Sequence, residues 1–334
     1  MFGTAVGDAL GLPGEGLSPK RIARWWRGDW RMRLFLGRGM VSDDTEHTIM
    51  VAQALLSSPA DAAGFRRRLA WKLRWWFLGL PAGVGMATAK ACIKLWLGVP
   101  PARSGVWSAG NGPAMRSAVI GAFLAGDADS RRAFVAASTR MTHTDPRAEI
   151  AALAVAETTA LLVCDRRNEI LSALPGLGDN EEWRLLCCKL AEAHAAGLSV
   201  GEFANSLDLR RGVTGYAFHT VPIALYAVLR HPDSFEAALI AALDCGGDTD
   251  TVGAIVGAMM GANVGTNGIP EEWINGITDW PRSIAVLNAL ARELSLPVGK
   301  GKPVHYFWPG ILPRNLVFLA VVLTHGFRRL LPPY

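Results

Sequence analysis

Apolar residues recur along most of this chain at intervals of three and four positions, the spacing that places them on one face of an α-helix. We find no sustained alternation with period two and no hairpin dipeptide in a strand context. The pattern therefore predicts an all-α protein of roughly a dozen or more helices, many of them rich in Ala and Gly and hence closely packed. The clearest predicted helices lie within 61–97 (two helices, broken near residue 80), 129–164 (two helices), 181–196, 217–229, 235–243, 282–294 and 315–331.

The first predicted helix carries small residues at Gly3, Gly7 and Gly11, which give it a face that can approach a neighbour closely. Gly11 and Pro13 end this helix, and Glu15 follows on the loop. Taken alone, Glu15 would be an ordinary surface carboxylate.

The composition is that of a folded globular protein. Half of the 334 residues are hydrophobic and the mean hydropathy is +0.21, so a large core can be buried within one or two domains. The first dozen residues hold Asp8 and no basic segment, which argues against a secretory signal. The strongly apolar run Leu316–Leu323 is shorter than a membrane span. We therefore expect a soluble cytoplasmic protein without a transmembrane segment.

The cysteines are odd in number and form no CxxC pair, so the sequence suggests neither a zinc site nor a disulfide framework. We expect buried free thiols in a reducing compartment. The five residues are Cys92, Cys164, Cys187, Cys188 and Cys245.

The net charge is only +5, but basic and aromatic residues are interleaved in two stretches, 20–38 and 66–76. In a packed helix the Trp rings would be buried while the Arg stems lie along the rim. The same pattern also binds single-stranded nucleic acid, and a basic rim attracts an anionic nucleotide. Packing is the interpretation we favour, and no nucleic-acid partner is expected.

The stretch Gly246–Thr251 combines a tight turn, two negative charges and a helix start. Its side chains would cap free N–H groups of the helix. Alternatively, Asp248, Asp250 and Thr251 would direct oxygens at a hard cation such as Mg²⁺. An EF-hand is excluded, because Met259 stands where that loop requires Glu. Any metal here needs further ligands from elsewhere in the chain.

A second oxygen-rich stretch, Ser42–Glu46, precedes another predicted helix. Asp43 with Glu46 three residues later fits a capping arrangement, which leaves the adjacent Asp44 unexplained. Two neighbouring carboxylates at a helix start repel each other unless a cation lies near them. This stretch is therefore a second candidate metal site.

Residues 110–112 form a glycine-bracketed turn before an apolar helix that is predicted to run to Leu124. Glycines before a helix N-terminus let backbone N–H groups approach phosphate oxygens, although the same pattern is common in ordinary loops. His143 lies on a loop, directly before a helix that Asp145 would cap and Pro146 would begin. A single loop histidine is more often a structural residue than a ligand.

Residues 295–334 differ in character from the rest, since they are rich in proline and contain no acidic residue. The helix predicted over 315–331 has an apolar stripe, so we expect it to pack on the body of the protein. A contact with a membrane surface or a protein partner is the alternative. We therefore divide the chain into a domain, 1–294, and a docked C-terminal extension, 295–334. The stripe consists of Leu316, Leu319, Val322 and Leu323.

Taken together, the motifs resemble those of the ADP-ribosylglycohydrolases. The resemblance covers residues 1–294 and implies a single compact all-α domain with two Mg²⁺ or Mn²⁺ ions at the floor of a cleft. The matching stretches, in the family's order, are Gly3–Glu15, Ser42–Thr45, Gly110–Arg116, Thr142–His143, Gly215–Tyr216 and Gly246–Thr251.

The resemblance also implies roles for individual residues. Glu15 or Asp44 would accept the proton of the attacking water, and a glycine loop would hold the diphosphate through backbone N–H groups. His143 would lie by the ribose or phosphate, and Tyr216 would stack on adenine. The implied metal ligands are Ser42, Asp43, Asp44, Asp248, Asp250 and Thr251, and the implied diphosphate contacts are Gly110, Asn111 and Gly112.

The activity implied by the resemblance is hydrolysis of the bond at C1″ of an ADP-linked ribose, on an ADP-ribosylated protein or an ADP-ribosyl small molecule. The alternative is a non-catalytic protein that binds ADP-ribosylated ligands. The oxygen ligands together with Glu15 favour the enzyme, because a purely structural member has no physical need for them. Two features depart from the family pattern: Pro113, which replaces a small residue, and the extension 295–334.

Overall fold

A computed structural model describes residues 1–329 of the chain. Over these residues there are eighteen α-helices, short 3-10 turns and isolated bridges but no β-sheet, so the all-α prediction is confirmed. The helices are α1 (Phe2–Gly11), α2 (Pro19–Trp26), α3 (Asp43–Ser57), α4 (Ala62–Leu78), α5 (Met86–Trp96), α6 (Gly112–Met115), α7 (Ala118–Phe123), α8 (Ala128–Arg140), α9 (Pro146–Val163), α10 (Ile170–Ala173), α11 (Glu181–Ala195), α12 (Val200–Ser206), α13 (Ala217–Arg230), α14 (Phe235–Leu243), α15 (Thr249–Val264), α16 (Glu271–Gly276), α17 (Ile284–Leu294) and α18 (Ile311–Arg328).

The helix predicted to run to Leu124 is instead divided into the short helices α6 and α7. The break falls at Arg116, whose buried guanidinium donates to Ser138 Oγ (3.0 Å) and to Thr142 Oγ1 (2.7 Å). A continuous apolar helix was therefore the wrong prediction, because a buried charge that reaches α8 and the His143 loop interrupts it.

Helices α1 and α15 run antiparallel with their backbones in direct contact. A Cβ atom added to Gly3 would lie 1.9 Å from the Gly257 carbonyl oxygen, and one added to Gly7 would lie 1.9 Å from that of Gly253. At the end of α1, Thr249 Oγ1 donates to the Gly11 carbonyl (2.7 Å). The predicted close-packing face is confirmed, and it brings the loop after α1 to the start of α15.

We expect Gly7→Ala to lower the free energy of unfolding by about 3 kcal/mol, the upper end of the usual cost of overpacking, because the obstacle is backbone rather than a movable side chain. Gly201→Ala is the matched control. Gly201 lies in α12, and a Cβ atom added there would have nothing within 4 Å, so alanine should add up to about 1 kcal/mol. Chemical denaturation measures both, and an unchanged midpoint for Gly7→Ala would contradict this packing.

Within residues 1–329, eleven Trp, Phe and Tyr side chains are buried in one hydrophobic core. Trp26, Trp30 and Trp76 are buried, as the packing interpretation predicts, whereas Trp71 is 55% exposed. The expectation of buried thiols was wrong for Cys164 and Cys188, which are exposed.

Helix α18 contacts the body of the protein through a face other than the predicted stripe, and residues 330–331 of the predicted helix lie outside the described residues. Leu316, Leu319 and Leu323 of the predicted stripe are 38–51% exposed, while the inward face carries Arg314 and Asn315. This orientation follows from polar contacts, because removing one partner of a buried ion pair costs about 3–5 kcal/mol. The contacts are Arg314 to Asp279 (2.5 Å), to Glu46 (3.2 Å) and to the Val41 carbonyl (2.6 Å), and Asn315 to the Gly79 carbonyl (2.7 Å).

By length and composition alone, the 21-residue segment Trp308–Arg328 is sufficient to cross a membrane, with a mean hydropathy of 1.4. The sequence argument did not identify this segment, because it considered only the uninterrupted apolar run Leu316–Leu323. In the structure the segment lies against the protein, with about a quarter of it buried (28%).

Candidate active site

The two acidic stretches meet at the N-terminal ends of α3 and α15. Thr251 Oγ1 donates to Asp44 Oδ2 over 3.2 Å, and Ser42 Oγ donates to the same oxygen over 3.1 Å. Asp44 is buried, with an exposed fraction of only 1%. Residues that are more than 200 positions apart in the sequence therefore share one hydrogen-bonded centre.

Helix capping does not account for these carboxylates. Ser42, rather than Asp43, is the N-cap of α3, and its hydroxyl accepts from Asp44 N (3.3 Å). Asp248 is the N-cap of α15, but its side chain makes no capping hydrogen bond. The predicted capping pair of Asp43 and Glu46 was wrong, because Glu46 turns away to buried partners. These partners are Arg282, Arg314 and Trp76.

The glycine turn before α15 places Glu15 beside Asp248. Gly246 and Gly247 adopt positive φ angles of 64° and 83°, the left-handed region that favours glycine. Gly247 accepts from Gly16 N (2.7 Å) and donates to the Leu17 carbonyl (2.8 Å). The loop that carries Glu15 is thus fixed to the turn that precedes the second acidic stretch.

Asn111 joins the glycine loop to the acidic centre. Its Nδ2 donates to Asp248 Oδ2 (2.6 Å) and to Thr220 Oγ1 (2.9 Å), while its backbone N donates to the Gly215 carbonyl (3.0 Å). The spacing in sequence gave no indication of the side-chain contacts. They hold the loop 110–112 at the edge of the carboxylate cluster.

His143 packs beneath the same loop. A Cβ atom at Gly110 would lie 3.1 Å from His143 Nε2, and one at Gly112 would lie 3.3 Å from His143 Cε1. The histidine therefore supplies a packing reason for both glycines. Burial, assisted by the charge of Arg116, lowers the pKa of His143 to about 3, so its ring is neutral.

Tyr216 lies on the rim, where its hydroxyl donates to Glu182 (2.9 Å) and accepts from Arg147 Nη1 (3.3 Å). The Arg147 guanidinium is 5.6 Å from the centre of the tyrosine ring, and His219 meets the ring edge-on at 5.0 Å. An antiparallel bridge pairs Tyr216 with Gly110. The predicted adenine contact thus adjoins the predicted diphosphate loop.

Desolvation is the main cause of perturbed acidity at this centre. Burial, followed by repulsion between neighbouring carboxylates, raises the pKa values of Asp43, Asp44 and Asp250 well above the usual aspartate range. Glu15 is solvent-accessible at its loop, yet desolvation and the charge of Asp248 raise its pKa, against an opposing effect of Arg329. The cluster concentrates negative charge that protons or cations would neutralise.

Asp8 is a further member of the site that was not predicted from the sequence. Its carboxylate accepts from Ser42 N (2.9 Å), Thr45 N (3.1 Å) and Thr45 Oγ1 (2.5 Å), so it satisfies free donors at the start of α3 from outside the helix. Burial raises its pKa to about 6. The available signal was a single charged residue in an otherwise small and apolar helix, α1.

The residues suit a hard divalent cation by their chemistry. Asp44 Oδ1 is buried and has no hydrogen-bond partner, and carboxylate and hydroxyl oxygens are the donors that Mg²⁺ and Mn²⁺ take. Within residues 1–329, no three His, Cys, Asp or Glu side chains are already arranged to hold a metal ion. Binding would therefore require these side chains to turn towards the ion.

The raised pKa of Asp44 predicts a pH-dependent stability in the absence of metal. Above the ordinary aspartate pKa, Asp44 keeps its proton in the folded protein but loses it in the unfolded chain. The contribution of Asp44 to the free energy of unfolding is therefore fully present at low pH and is lost as the pH rises through the raised pKa. In EDTA, the melting temperature of Asp44→Asn minus that of wild type should therefore increase from about pH 5 to about pH 8. Histidine titrations cancel in this difference, and a constant difference would contradict the assignment.

Comparison with known proteins agrees with the motifs. A family model described as ADP-ribosylglycohydrolase matches residues 1–302. An uncharacterized protein of Archaeoglobus fulgidus is 34% identical over 84% of this chain and 90% of its own length. The ADP-ribosyl-[dinitrogen reductase] glycohydrolase of Rhodospirillum rubrum is 28% identical over 82% of this chain and 87% of its own length.

A solved structure described as an ADP-ribosylglycohydrolase-related protein complex has a similar fold, with a TM-score of 0.58 and 27% identity. The similarity covers 88% of this chain and 95% of that one. The family match spans nine-tenths of the sequence and includes all the matching motifs. This chain therefore belongs to the ADP-ribosylglycohydrolase family.

Proposed function

We propose that the protein is a divalent-metal-dependent hydrolase that removes ADP-ribose from a modified acceptor, by attack of water at the anomeric carbon. The observation that carries this proposal is the hydrogen bond from Asn111 to Asp248, 2.6 Å long. In ADP-ribose only one ribose separates the diphosphate from the anomeric carbon. A loop suited to the diphosphate must therefore adjoin the groups that act on that carbon, and this hydrogen bond joins them.

The chain's own residues supply binding and orientation. Gly110 N and Asn111 N already donate to Ser108 Oγ (3.3 Å) and to the Gly215 carbonyl (3.0 Å), so of the predicted diphosphate contacts the Gly112 N–H is the one left to face the diphosphate. The neutral ring of His143 would support the loop from below. Tyr216 would bind the adenine, next to that loop. The ribose then extends towards Asp248 and Asp44.

The carboxylate cluster suits the charge that develops during cleavage. The transition state has oxocarbenium character, and buried negative groups placed beforehand stabilise positive charge at the anomeric carbon. Ser42, Asp43, Asp44, Asp248, Asp250 and Thr251 would hold the metal ions. When bound, two Mg²⁺ or Mn²⁺ ions would orient the ribose hydroxyls and increase the acidity of a water molecule.

Glu15 is the group we assign to proton exchange, with Asp44 as the alternative. Glu15 is accessible at the mouth of the site, and its raised pKa brings it closer to neutral pH, where a general acid–base is most effective. Asp44 is buried and already accepts hydrogen bonds from Ser42 and Thr251. Its geometry suits a metal ligand better than a proton acceptor for bulk water.

The acceptor is best identified with a panel of substrates, because it is recognised by the rim rather than by the carboxylates. The name of the Rhodospirillum rubrum relative favours a protein acceptor. We would incubate the protein with ADP-ribose linked to arginine, serine or DNA, and with O-acetyl-ADP-ribose, and measure free ADP-ribose. Release from one class would identify it. Tight binding of ADP-ribose without release from any class would instead favour the non-catalytic binding protein.

A further inference from the structure

Helix α18 presents an apolar stripe away from the protein. Its members recur at intervals of three and four residues, so at 100° per residue they lie within an arc of about 80°. They lie opposite the inward face that contains Arg314 and Phe318. The stripe consists of Leu312 (45% exposed), Leu316 (51%), Leu319 (38%), Leu323 (51%) and Phe327 (67%).

The stripe continues into a group of exposed aromatic rings at the start of α18. Trp308 meets Trp75 edge-on at 5.4 Å, and Trp75 in turn contacts Trp71 (5.8 Å) and Trp96 (5.6 Å). Trp308, Trp71 and Trp96 are 40–55% exposed. We call the stripe of α18 together with Trp71, Trp96 and Trp308 the outer apolar surface.

The helices that build this surface carry no acidic side chain. Helices α4, α5 and α18 contain basic residues but neither Asp nor Glu. On α4, Arg68 is exposed one turn before Trp71, as is Arg67, which pairs with the N-cap residue Asp61 (3.6 Å). Arg328 ends α18, next to the stripe. An apolar surface with basic neighbours and exposed Trp rings is complementary to an anionic bilayer surface.

We propose that the outer apolar surface docks on an anionic membrane, with α18 lying in the plane of the interface. The tryptophans would sit at the headgroup level, the leucines and Phe327 would enter the acyl boundary, and the basic side chains would attract the lipid phosphates. Membrane contact of this kind uses none of the side chains assigned to the hydrolytic site, although the end of α18 adjoins that site, where Arg329 Nη1 donates to the Glu15 carbonyl (2.6 Å). It would place the enzyme near membrane-bound acceptors.

The inward contacts of α18 favour docking over spanning. Inserting Trp308–Arg328 across a bilayer would remove Arg314 from the carboxylates of Asp279 and Glu46, whose side chains are only 2% and 3% exposed. It would also break the Asn315 contact with Gly79. Unpaired buried charges would remain in the body, so the folded protein retains α18 on its surface.

Vesicle flotation tests the proposal with the full-length protein. We expect it to float with vesicles of phosphatidylcholine containing about one third phosphatidylglycerol, and much less with phosphatidylcholine alone or at high salt. The double variant L316E/L323E should reduce the bound fraction by at least about tenfold, because it places charges in the stripe. L185E is the matched control, since Leu185 is also an exposed leucine on a helix, α11 (58%), and lies outside the surface.

Melting curves establish that each variant is folded, and both positions of the double variant are exposed in the native state. Absence of binding to anionic vesicles, or equal binding by L316E/L323E and wild type, would overturn the proposal. A concentration-dependent dimer that the double variant abolishes, without vesicle binding, would show instead that the surface binds a second copy. Membrane association that survives alkaline carbonate extraction would show that the segment spans the bilayer.

Discussion

Asp44→Asn should abolish measurable turnover, a loss of at least about 10³-fold, while the metal-free fold stays as stable as wild type or becomes more stable. The substitution keeps the side-chain volume and removes one charge from a buried cluster in which repulsion opposes ionisation. The carboxylate that the substitution removes is also a metal ligand in our proposal, so the affinity for Mg²⁺ should fall. Steady-state kinetics, calorimetric metal titration and melting in EDTA measure the three effects.

Asp127→Asn is the control for this variant. Asp127 is the N-cap of α8 and accepts from Ser130 N, an ordinary capping role that asparagine also performs. It should change neither turnover nor Mg²⁺ affinity. If Asp44→Asn binds Mg²⁺ and turns over like Asp127→Asn, then Asp44 is a structural residue and the metal assignment fails.

Glu15→Gln should bind ADP-ribose and Mg²⁺ normally but hydrolyse substrate about 10²–10⁴-fold more slowly, the usual contribution of a general acid–base. Glutamine keeps the shape of the loop, which is held by backbone bonds between Gly16, Leu17 and Gly247. The effect should therefore appear in kcat and not in the Kd for ADP-ribose.

The pH profile separates Glu15 from Asp44 as the proton acceptor. In wild type the acidic limb of kcat should reflect a carboxyl group whose pKa is raised, and that limb should disappear from the residual activity of Glu15→Gln. Full activity of Glu15→Gln would show that Asp44, rather than Glu15, accepts the proton. A variant that loses ADP-ribose binding would show that Glu15 contributes to the ligand site rather than to proton exchange.

The sequence predicted the helices well because their apolar residues repeat at 3.6-residue spacing, and glycine spacing predicted the close-packing face of α1, although not its partner, α15. It failed where a long-range polar contact decides the local structure. Arg116 divides a continuous apolar pattern by reaching α8. Arg314 turns α18 so that its most apolar face is outward, which no local pattern reveals because Asp279 and Glu46 are distant in sequence.

The same distinction applies to the candidate site. Carboxylate pairs, glycines and motif order could be recognised in the sequence, because each is local. The contacts that assemble them could not: Thr251 with Asp44, Asn111 with Asp248, and Asp8 with the start of α3. From the sequence alone, helix capping could explain the acidic residues at the start of α3. In the structure Ser42 is the N-cap of that helix, so Asp43 and Asp44 are not needed as caps.

Metal-dependent release of ADP-ribose is the decisive measurement for the proposed hydrolase. Wild-type protein, freed of metal with EDTA and dialysed, would be incubated with the best substrate of the panel while Mg²⁺ or Mn²⁺ is titrated. We predict no release without metal, full recovery on addition of either ion, and no recovery for Asp44→Asn. Undiminished release from the metal-free protein would show that the hydrolysis needs no metal ion.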